Sequence, residues 1–525
     1  MSRKYLFFTV FSGGMTTLAI EFTASRMLQT VYGTSNIVWA NVIGLVLLCL
    51  TAGYFIGGRL ADRYPQEHVF YGLVSTAGFS GVFFLLLTSA TLRWGASQLA
   101  SMNVGSILGS LLIIVLALFV PITLLGCLSP FAIRLGVQDI AEAGRVSGQI
   151  YAISTLGSLL GTYLPVLLVI PLAGSRLTAI GFGTFLFLVG AYGWWRNGGP
   201  RAITGSATML TLLLTAAIGW GIGPIKQTPT QIYEAETPYN YVEVVRIEDC
   251  NYLLLNEGQA FHSFYCDNGR VPEVSVWSIM LAAPYFNLPE DLAQPEPAID
   301  KVAVIGLAAG TIPKQYIRIF PDVTVTGIEL DGGIVQAGYD FFALDDPQIE
   351  VVVGDGRYEL NRLSGDYDVI TIDAYKVPYI PWHLTTQEFF TEVKAQLSDT
   401  GVVAINVGRV PQDRRLVEAL THTMGQIFPT IHTVDVPGTL NTVLFASVQE
   451  TDFAVLEAYL TTLPTTADPL LRGVLQTAVN GRVPTTPSDL LFTDERAPVE
   501  TLIDSLVIRF VLSEGVRSLP RTSIE

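Results

Sequence analysis

Three acidic residues and one glycine-rich turn carry most of the chemistry legible in this sequence. The stretch VAVIGLAAGTIPKQY (302–316) reads as a buried strand, a turn and the start of a helix. In it Gly306 and Gly310 let the backbone approach a ligand at the helix N-terminus. About 20 residues further on, VTVTGIEL ends in Glu329 at the tip of a second strand, where a carboxylate can accept both hydroxyls of a ribose. IEVVVGDGRYEL then places Asp355 at the end of a third strand, and YDVITIDAY places Asp373 at the end of a fourth. Singly, each acid reads as a loop residue or a helix cap. Together with the turn, and in this order, they define a nucleoside-cofactor site at the C-terminal edge of a sheet. The turn lacks a full GxGxxG, and an acid after the third strand suits an adenine amino group. An S-adenosylmethionine-like cofactor is therefore expected ahead of NAD, and no metal is called for.

The elements that must hold these residues alternate between strand and helix from Lys301 onward, the pattern of a doubly wound parallel sheet. Ahead of them, YVEVVRI and NYLLLNEGQAFHSF read as short strands with a hairpin turn at Asn256 to Gly258. The N-terminal part is of another kind. The 525 residues are 50% hydrophobic and only 14% charged, with a mean hydropathy of +0.45, too apolar for an average soluble chain. Apolar runs of membrane-spanning length lie at roughly 5–30, 36–60, 69–92, 103–127, 147–171, 175–195 and 206–223, about seven spans. The expected organisation is a transmembrane helical domain (1–225), a linker and β-hairpin subdomain (226–297), a Rossmann-like domain (298–450) and a C-terminal helical extension (451–525). A net charge of −16 excludes a nucleic-acid binder, which needs a basic surface to displace phosphate counterions. Glu21 and Arg26, one helical turn apart inside the first run, are expected to pair with each other or with Arg59, or to line a polar path.

The runs EFTASRML, GYFIGGRLADR, LLLNEGQ, VIGLAAGT, GIELD, VVGDGRYEL, YDVITIDAYKVPYIPWHLTTQEFF and FTDERAPVE resemble the spermidine synthases, or polyamine aminopropyltransferases, in their bacterial forms with an N-terminal multi-span block. The resemblance implies a β-hairpin subdomain followed by a class I methyltransferase-like α/β domain. It implies transfer of an aminopropyl group from decarboxylated S-adenosylmethionine to an amine. It further implies that Gln259 and Glu329 hold the nucleoside, that Asp355 holds the adenine, and that Asp373 takes the proton of the attacking amine. A carboxylate suits that role because an amine is nucleophilic only when neutral.

The sequence departs from this family at three places. Ala309 stands where the family turn keeps an acid for the transferred aminopropyl arm, Lys376 stands where an acid holds the far amine of putrescine, and a Tyr-His-Glu run is missing from DNGRVPEVSVWSIM (267–280). The loop DAYKVPYIPWHL instead offers Tyr375, Lys376, Tyr379, Trp382 and His383, which suit a bulkier or anionic acceptor such as a lipid headgroup. Methyl transfer from S-adenosylmethionine and a non-catalytic nucleoside- or polyamine-binding transporter or sensor stay open as alternatives. The partners expected are membrane lipid, a small amine or lipid-headgroup acceptor and, as a further alternative, a second copy of the chain in a homodimer. With seven spans, the arginine distribution sends the C-terminal domain out of the cytosol. Cys250 and Cys266 flank the hairpin almost symmetrically, and a disulfide between them would fit that side. Cytosolic supply of S-adenosyl cofactors argues the other way, and a multi-pass cell-membrane protein with a cytoplasmic soluble domain is the placement expected.

Overall fold

The computed structural model describes residues 2–32, 36–99, 115, 118–220, 225–226, 228–256, 260–272, 274–287, 297–375, 379–410, 413–486 and 488–514. The chain divides into two compact units, Met1–Tyr241 and Val242–Glu525.

The described residues of the first unit are mainly helical up to residue 220. Five segments among the described residues are long and apolar enough to cross a membrane: Arg3–Met27, Val42–Arg63, Glu67–Thr88, Leu118–Gly136 and Ile140–Trp220. The last of these has 81 residues, about 120 Å if it were one straight helix and about four times a bilayer core. It is not straight. A π-helical stretch occupies Pro165–Val169, and Gly174 and Gly199 leave helical geometry at φ 78° and 63°. The three last apolar runs of the sequence thus fall into one interrupted segment, while most of the run at 103–127 lies outside the described residues. Small residues set the helix spacing. A Cβ added at Gly157 or Gly161 would sit 2.1 or 2.0 Å from the carbonyl oxygen of Phe11 or Met15, so the helices Arg3–Tyr32 and Ala143–Leu164 touch backbone to backbone.

The connector expected to start the soluble part belongs to the first unit. Arg26 donates to the carbonyl oxygens of Thr237 and, at 3.3 Å, Pro238. Glu236, on strand β1 (Gln231–Glu236), accepts from the Ser175 amide at 2.5 Å. These two charged side chains tie residues 236–238 to the helical bundle, which moves the division from about 225 to 241. Arg26, which the sequence places in a polar path or an intrahelical pair, acts here as a clamp on the connector.

The second unit opens with an antiparallel meander of β2 (Tyr241–Ile247), β3 (Cys250–Leu255) and β4 (Phe261–Cys266). Cys250 and Cys266 are direct cross-strand partners and are disulfide-bonded. The main sheet follows with β5 (Lys301–Ile305), β6 (Thr324–Glu329), β7 (Ile349–Val353), β8 (Tyr367–Ile372), β9 (Leu397–Gly408), β10 (Thr430–Asp435), β11 (Asn441–Ser447) and β12 (Arg482–Val483). Their spatial order is β12-β10-β11-β9-β8-β5-β6-β7. Strands β5 to β9 are parallel, and β10, β11 and β12 are antiparallel additions.

Strand periodicity explains why both faces are covered. Ala303 and Ile305 of β5, with Val403, Ile405 and Val407 of β9, face one core, formed with Phe389, Phe390, Leu416, Leu420, Val499 and Leu502. Val302 and Val304, with Val402 and Ala404, face the other, formed with Tyr285, Phe286, Leu456, Leu471 and Leu475. The C-terminal extension is therefore part of the domain. Its helices complete both cores, and Arg482–Val483 adds a strand to the sheet edge.

The chain runs β5, β6, β7 outward to one edge and then returns to β8 on the other side of β5. That reversal opens a crevice at the carboxyl ends of β5 and β8. The meander is fastened beside it: Ser263 Oγ accepts from the Ala309 amide at 2.9 Å, and Thr311 Oγ1 accepts from the Phe264 amide at 2.8 Å. Cross-linking two residues 16 apart removes unfolded-chain entropy worth about 3 kcal/mol. The double variant Cys250→Ser/Cys266→Ser is expected to melt at a clearly lower temperature than the wild type in detergent. An unchanged midpoint would show that the meander is held by its strand pairing alone.

Candidate functional site

The crevice is built by the turn that follows β5. Gly306 (φ 88°), Ala308 (φ 49°) and Gly310 (φ 89°) all adopt left-handed backbone. At Gly306 a side chain is also excluded sterically, since a Cβ would lie 2.6 Å from the Asp373 carbonyl oxygen. Strand β8 closes against the same point, with the Asp373 amide donating to the Ile305 carbonyl at 2.9 Å. Gly310 precedes the helix Thr311–Ile319. The first strand tip and Asp373 are therefore neighbours because glycine leaves no volume between them.

Glu329 is buried at the end of β6. Its Oε2 accepts from the Ala308 amide at 2.9 Å and its Oε1 from the Asp331 amide at 3.1 Å. Burial pushes its carboxyl up to about 7, and the amide donors from Asp331 and Ala308 only partly offset this. Each oxygen keeps a second lone pair, so the carboxylate can accept the two hydroxyls of a ribose while the turn fixes its orientation. Asp355 caps the helix Gly356–Leu360, accepting from the Arg357 and Tyr358 amides at 3.1 and 3.0 Å. Its other oxygen meets His383 Nε2 at 3.2 Å.

Asp373 is enclosed, and burial raises its carboxyl above the ordinary range. Two side chains pull in the other direction by donating to it: Asn406 Nδ2, at 2.8 Å to Oδ1, and the Trp277 indole. A carboxylate held above its usual value, yet still stabilised as the anion, is suited to exchange a proton with an amine.

The aromatic loop separates into two groups. The Tyr375 hydroxyl accepts from the Gly408 amide at 2.7 Å and donates to the Asn406 carbonyl at 3.2 Å, so it bolts the end of β8 to the end of β9. Tyr379 is buried, and its hydroxyl donates to Asp504 of the helix Val499–Glu514. Both hydroxyls, expected over an acceptor, serve the packing of the domain. Trp382 is exposed and meets the His383 ring edge-on at 5.8 Å, and these two stay at the rim beside Asp355. Lys376 and Gln259 lie outside the described residues. Arg357, next to Asp355, pairs with Glu392 at 2.6 Å and with Asp494 at 2.8 Å, so the segment FTDERAPVE is pinned close to the rim.

Asn406, Trp277 and Ser263 are the site residues that sequence reasoning missed. A signal existed for Asn406, the one polar residue in the apolar run VVAINV of a central strand. Register puts it opposite Asp373, because Ile372 pairs with Ile405.

The doubly wound sheet, the glycine turn at its reversal point and the three carboxylates at successive strand ends define a methyltransferase-like α/β domain. Residues 296–458 match the spermine/spermidine synthase domain. A probable polyamine aminopropyl transferase of Bifidobacterium longum is 29% identical over 290 residues, covering 51% of this chain and 61% of the relative. A polyamine aminopropyltransferase of Vibrio vulnificus is 29% identical over 177 residues, covering 33% of this chain and 54% of the relative. The chain thus spans about six tenths and about half the length of these relatives. A probable spermidine synthase structure from Corynebacterium glutamicum overlays with a TM-score of 0.39 at 19% identity, covering 50% of this chain and 99% of that one.

Glu329 gives a pH-dependent expectation. Its folded value of about 7 exceeds the unfolded 4.5, so its contribution to stability is full below 4.5 and is lost as pH rises through about 7. Glu329→Gln should therefore not lower the thermal midpoint at pH 8, while nucleoside affinity falls roughly tenfold or more through the lost hydrogen bonds to ribose. Thermal melts and calorimetry with 5′-methylthioadenosine at pH 8 measure both. A destabilised variant with intact nucleoside affinity would assign Glu329 to the scaffold.

Proposed function

We propose that the C-terminal unit transfers an aminopropyl group from decarboxylated S-adenosylmethionine to an amine, with Asp373 as proton acceptor. The observation that carries this reading is the buried Asp373 carboxylate, held by Asn406 and Trp277 in the crevice between β5 and β8, beside the turn that Glu329 braces. The match of residues 296–458 to the spermine/spermidine synthase domain, and the names of its relatives, support the choice of donor. Gly306, Gly310, Glu329 and Asp355 would hold the nucleoside. The amine, brought in as the ammonium, gives a proton to Asp373 and attacks the carbon next to the sulfonium. A C–N bond forms, the C–S bond breaks, and its electron pair returns to sulfur as a neutral thioether. The donor carries its own leaving group, so enclosure and orientation supply the acceleration.

Ala309 and the rim pair Trp382 and His383 favour an acceptor other than a simple diamine, and the five apolar segments support delivery from a membrane. Incubation of the solubilised chain with either S-adenosyl donor and a panel of diamines and lipid extracts reads the reaction by mass. An aminopropyl gain that disappears in Asp373→Asn, with nucleoside binding retained, is the expected result. A methyl gain would select the methyltransferase alternative, and binding without product the non-catalytic one.

The Cys250–Cys266 bond supports a location on the oxidising face of the membrane, against the cytoplasmic placement expected from cofactor supply. Acid-quenched cells, denatured and alkylated, should then show two modified cysteines, Cys49 and Cys127, without reductant and four after reduction. Four modified cysteines without reduction would put the unit in the cytosol.

A further inference from the structure

Asn406 lies on β9 directly across from Asp373 and is only 7% exposed. Its amide orientation is fixed chemically, since a group that meets a carboxylate oxygen at 2.8 Å must present its nitrogen there. The amide oxygen is then left buried and without a hydrogen-bond partner. A buried acceptor in that state is costly, and two further contacts keep the strand end where it is. Tyr375 donates to the Asn406 carbonyl and accepts from the Gly408 amide. On the other side of the carboxylate, Trp277 follows Ser275, whose side chain and that of Ser278 form a reciprocal cap that starts its helical turn. An indole can only donate, so Trp277 holds the anion and cannot compete with it for a proton.

We propose that Asn406 is an amine-binding residue: its side-chain oxygen accepts an N–H of the acceptor ammonium while its nitrogen holds Asp373, and Trp277 is a positioning residue for that carboxylate. This rests on the reading of Asp373 as proton acceptor. An ammonium carries three N–H donors. One meets Asp373 and is transferred, a second meets the orphaned oxygen of Asn406, and the nitrogen lone pair released by the transfer attacks the donor carbon. The remaining proton balance is closed by the product, which leaves as a secondary ammonium, and by Asp373, which returns its proton to solvent. The amide thus recognises a primary ammonium through its hydrogen count, without a second charge. This gives the site a hold on the reacting end of the acceptor that does not depend on an acid at position 376.

The test uses the solubilised full chain saturated with 5′-methylthioadenosine, which prevents turnover, and putrescine, cadaverine and ethanolamine as probe amines. Asn406→Leu should weaken binding of the best probe roughly tenfold or more, the scale of a lost hydrogen bond to a charged group, with nucleoside affinity unchanged. Asn406→Asp keeps an acceptor and should bind the amine far better than the leucine variant. It also sets a second carboxylate against Asp373, so in a separate turnover assay, with decarboxylated S-adenosylmethionine in place of 5′-methylthioadenosine, the acid limb of kcat should move to higher pH. Trp277→Phe should leave amine affinity within about twofold and also move that limb to higher pH, because one donor to the anion is lost. Among the described residues, the neighbours that bear on Asp373 are Asn406 and Trp277, both neutral, and Tyr375, whose hydroxyl burial holds well above its usual range. Amine binding by Asn406→Leu equal to wild type, or a wild type that binds none of the probes, would overturn the inference. Turnover retained in Asp373→Asn would instead overturn the proton-acceptor reading, whatever Asn406 does.

Discussion

The close approach of two strand ends is the constraint on which the C-terminal unit depends. The tip of β5 and the start of the loop after β8 lie so near each other that the hydrogen of Gly306 is the only substituent that fits against the Asp373 carbonyl. One backbone hydrogen bond, from the Asp373 amide to the Ile305 carbonyl, closes the gap. Everything chemical is referenced to that point. The turn reaches Glu329 through the Ala308 amide and the meander through Ser263, while β9 reaches Asp373 through Asn406. A larger residue at 306 would push the glycine turn away from Asp373, and the proposed site would lose its common frame.

Around that frame the domain treats its acids in two ways. Asp494, Glu392, Asp413 and Asp435 are paired with arginines and are held below the ordinary carboxylate range as strongly anionic anchors of the outer helices and strands. Glu329 and Asp373 are buried with neutral donors and are pushed up. Desolvation without a cation leaves a carboxylate able to change its proton or its hydrogen-bond partner, and arginine pairing removes that ability. The difference separates the groups that hold the fold from those that can meet a substrate.

The first unit is organised by backbone proximity of another kind. Gly157 and Gly161 let two long helices meet without intervening side chains, so that their contact is close van der Waals packing of backbone on backbone. Its charged residues are used at one place in particular. Arg26 and Glu236 bind the connector, so the polar side chain inside the first apolar run has a mechanical task that needs no ion path.

The sequence by itself determined the class of each unit, since apolar run length and strand-helix alternation are local properties of the chain. It also determined that Gly306, Gly310, Glu329 and Asp355 follow or end the first three parallel strands, because strand ends are marked locally by where the apolar run stops. Tertiary structure decided the rest. The number of helical segments depended on kinks at Gly174 and Gly199, which hydropathy does not register. The loop aromatics divided into packing residues and rim residues because Tyr375 and Tyr379 found partners on Gly408 and Asp504, remote in sequence. The environment of Asp373 came from Trp277 and Asn406, 96 residues before it and 33 after it, and only strand pairing and helix packing could bring three such distant side chains together.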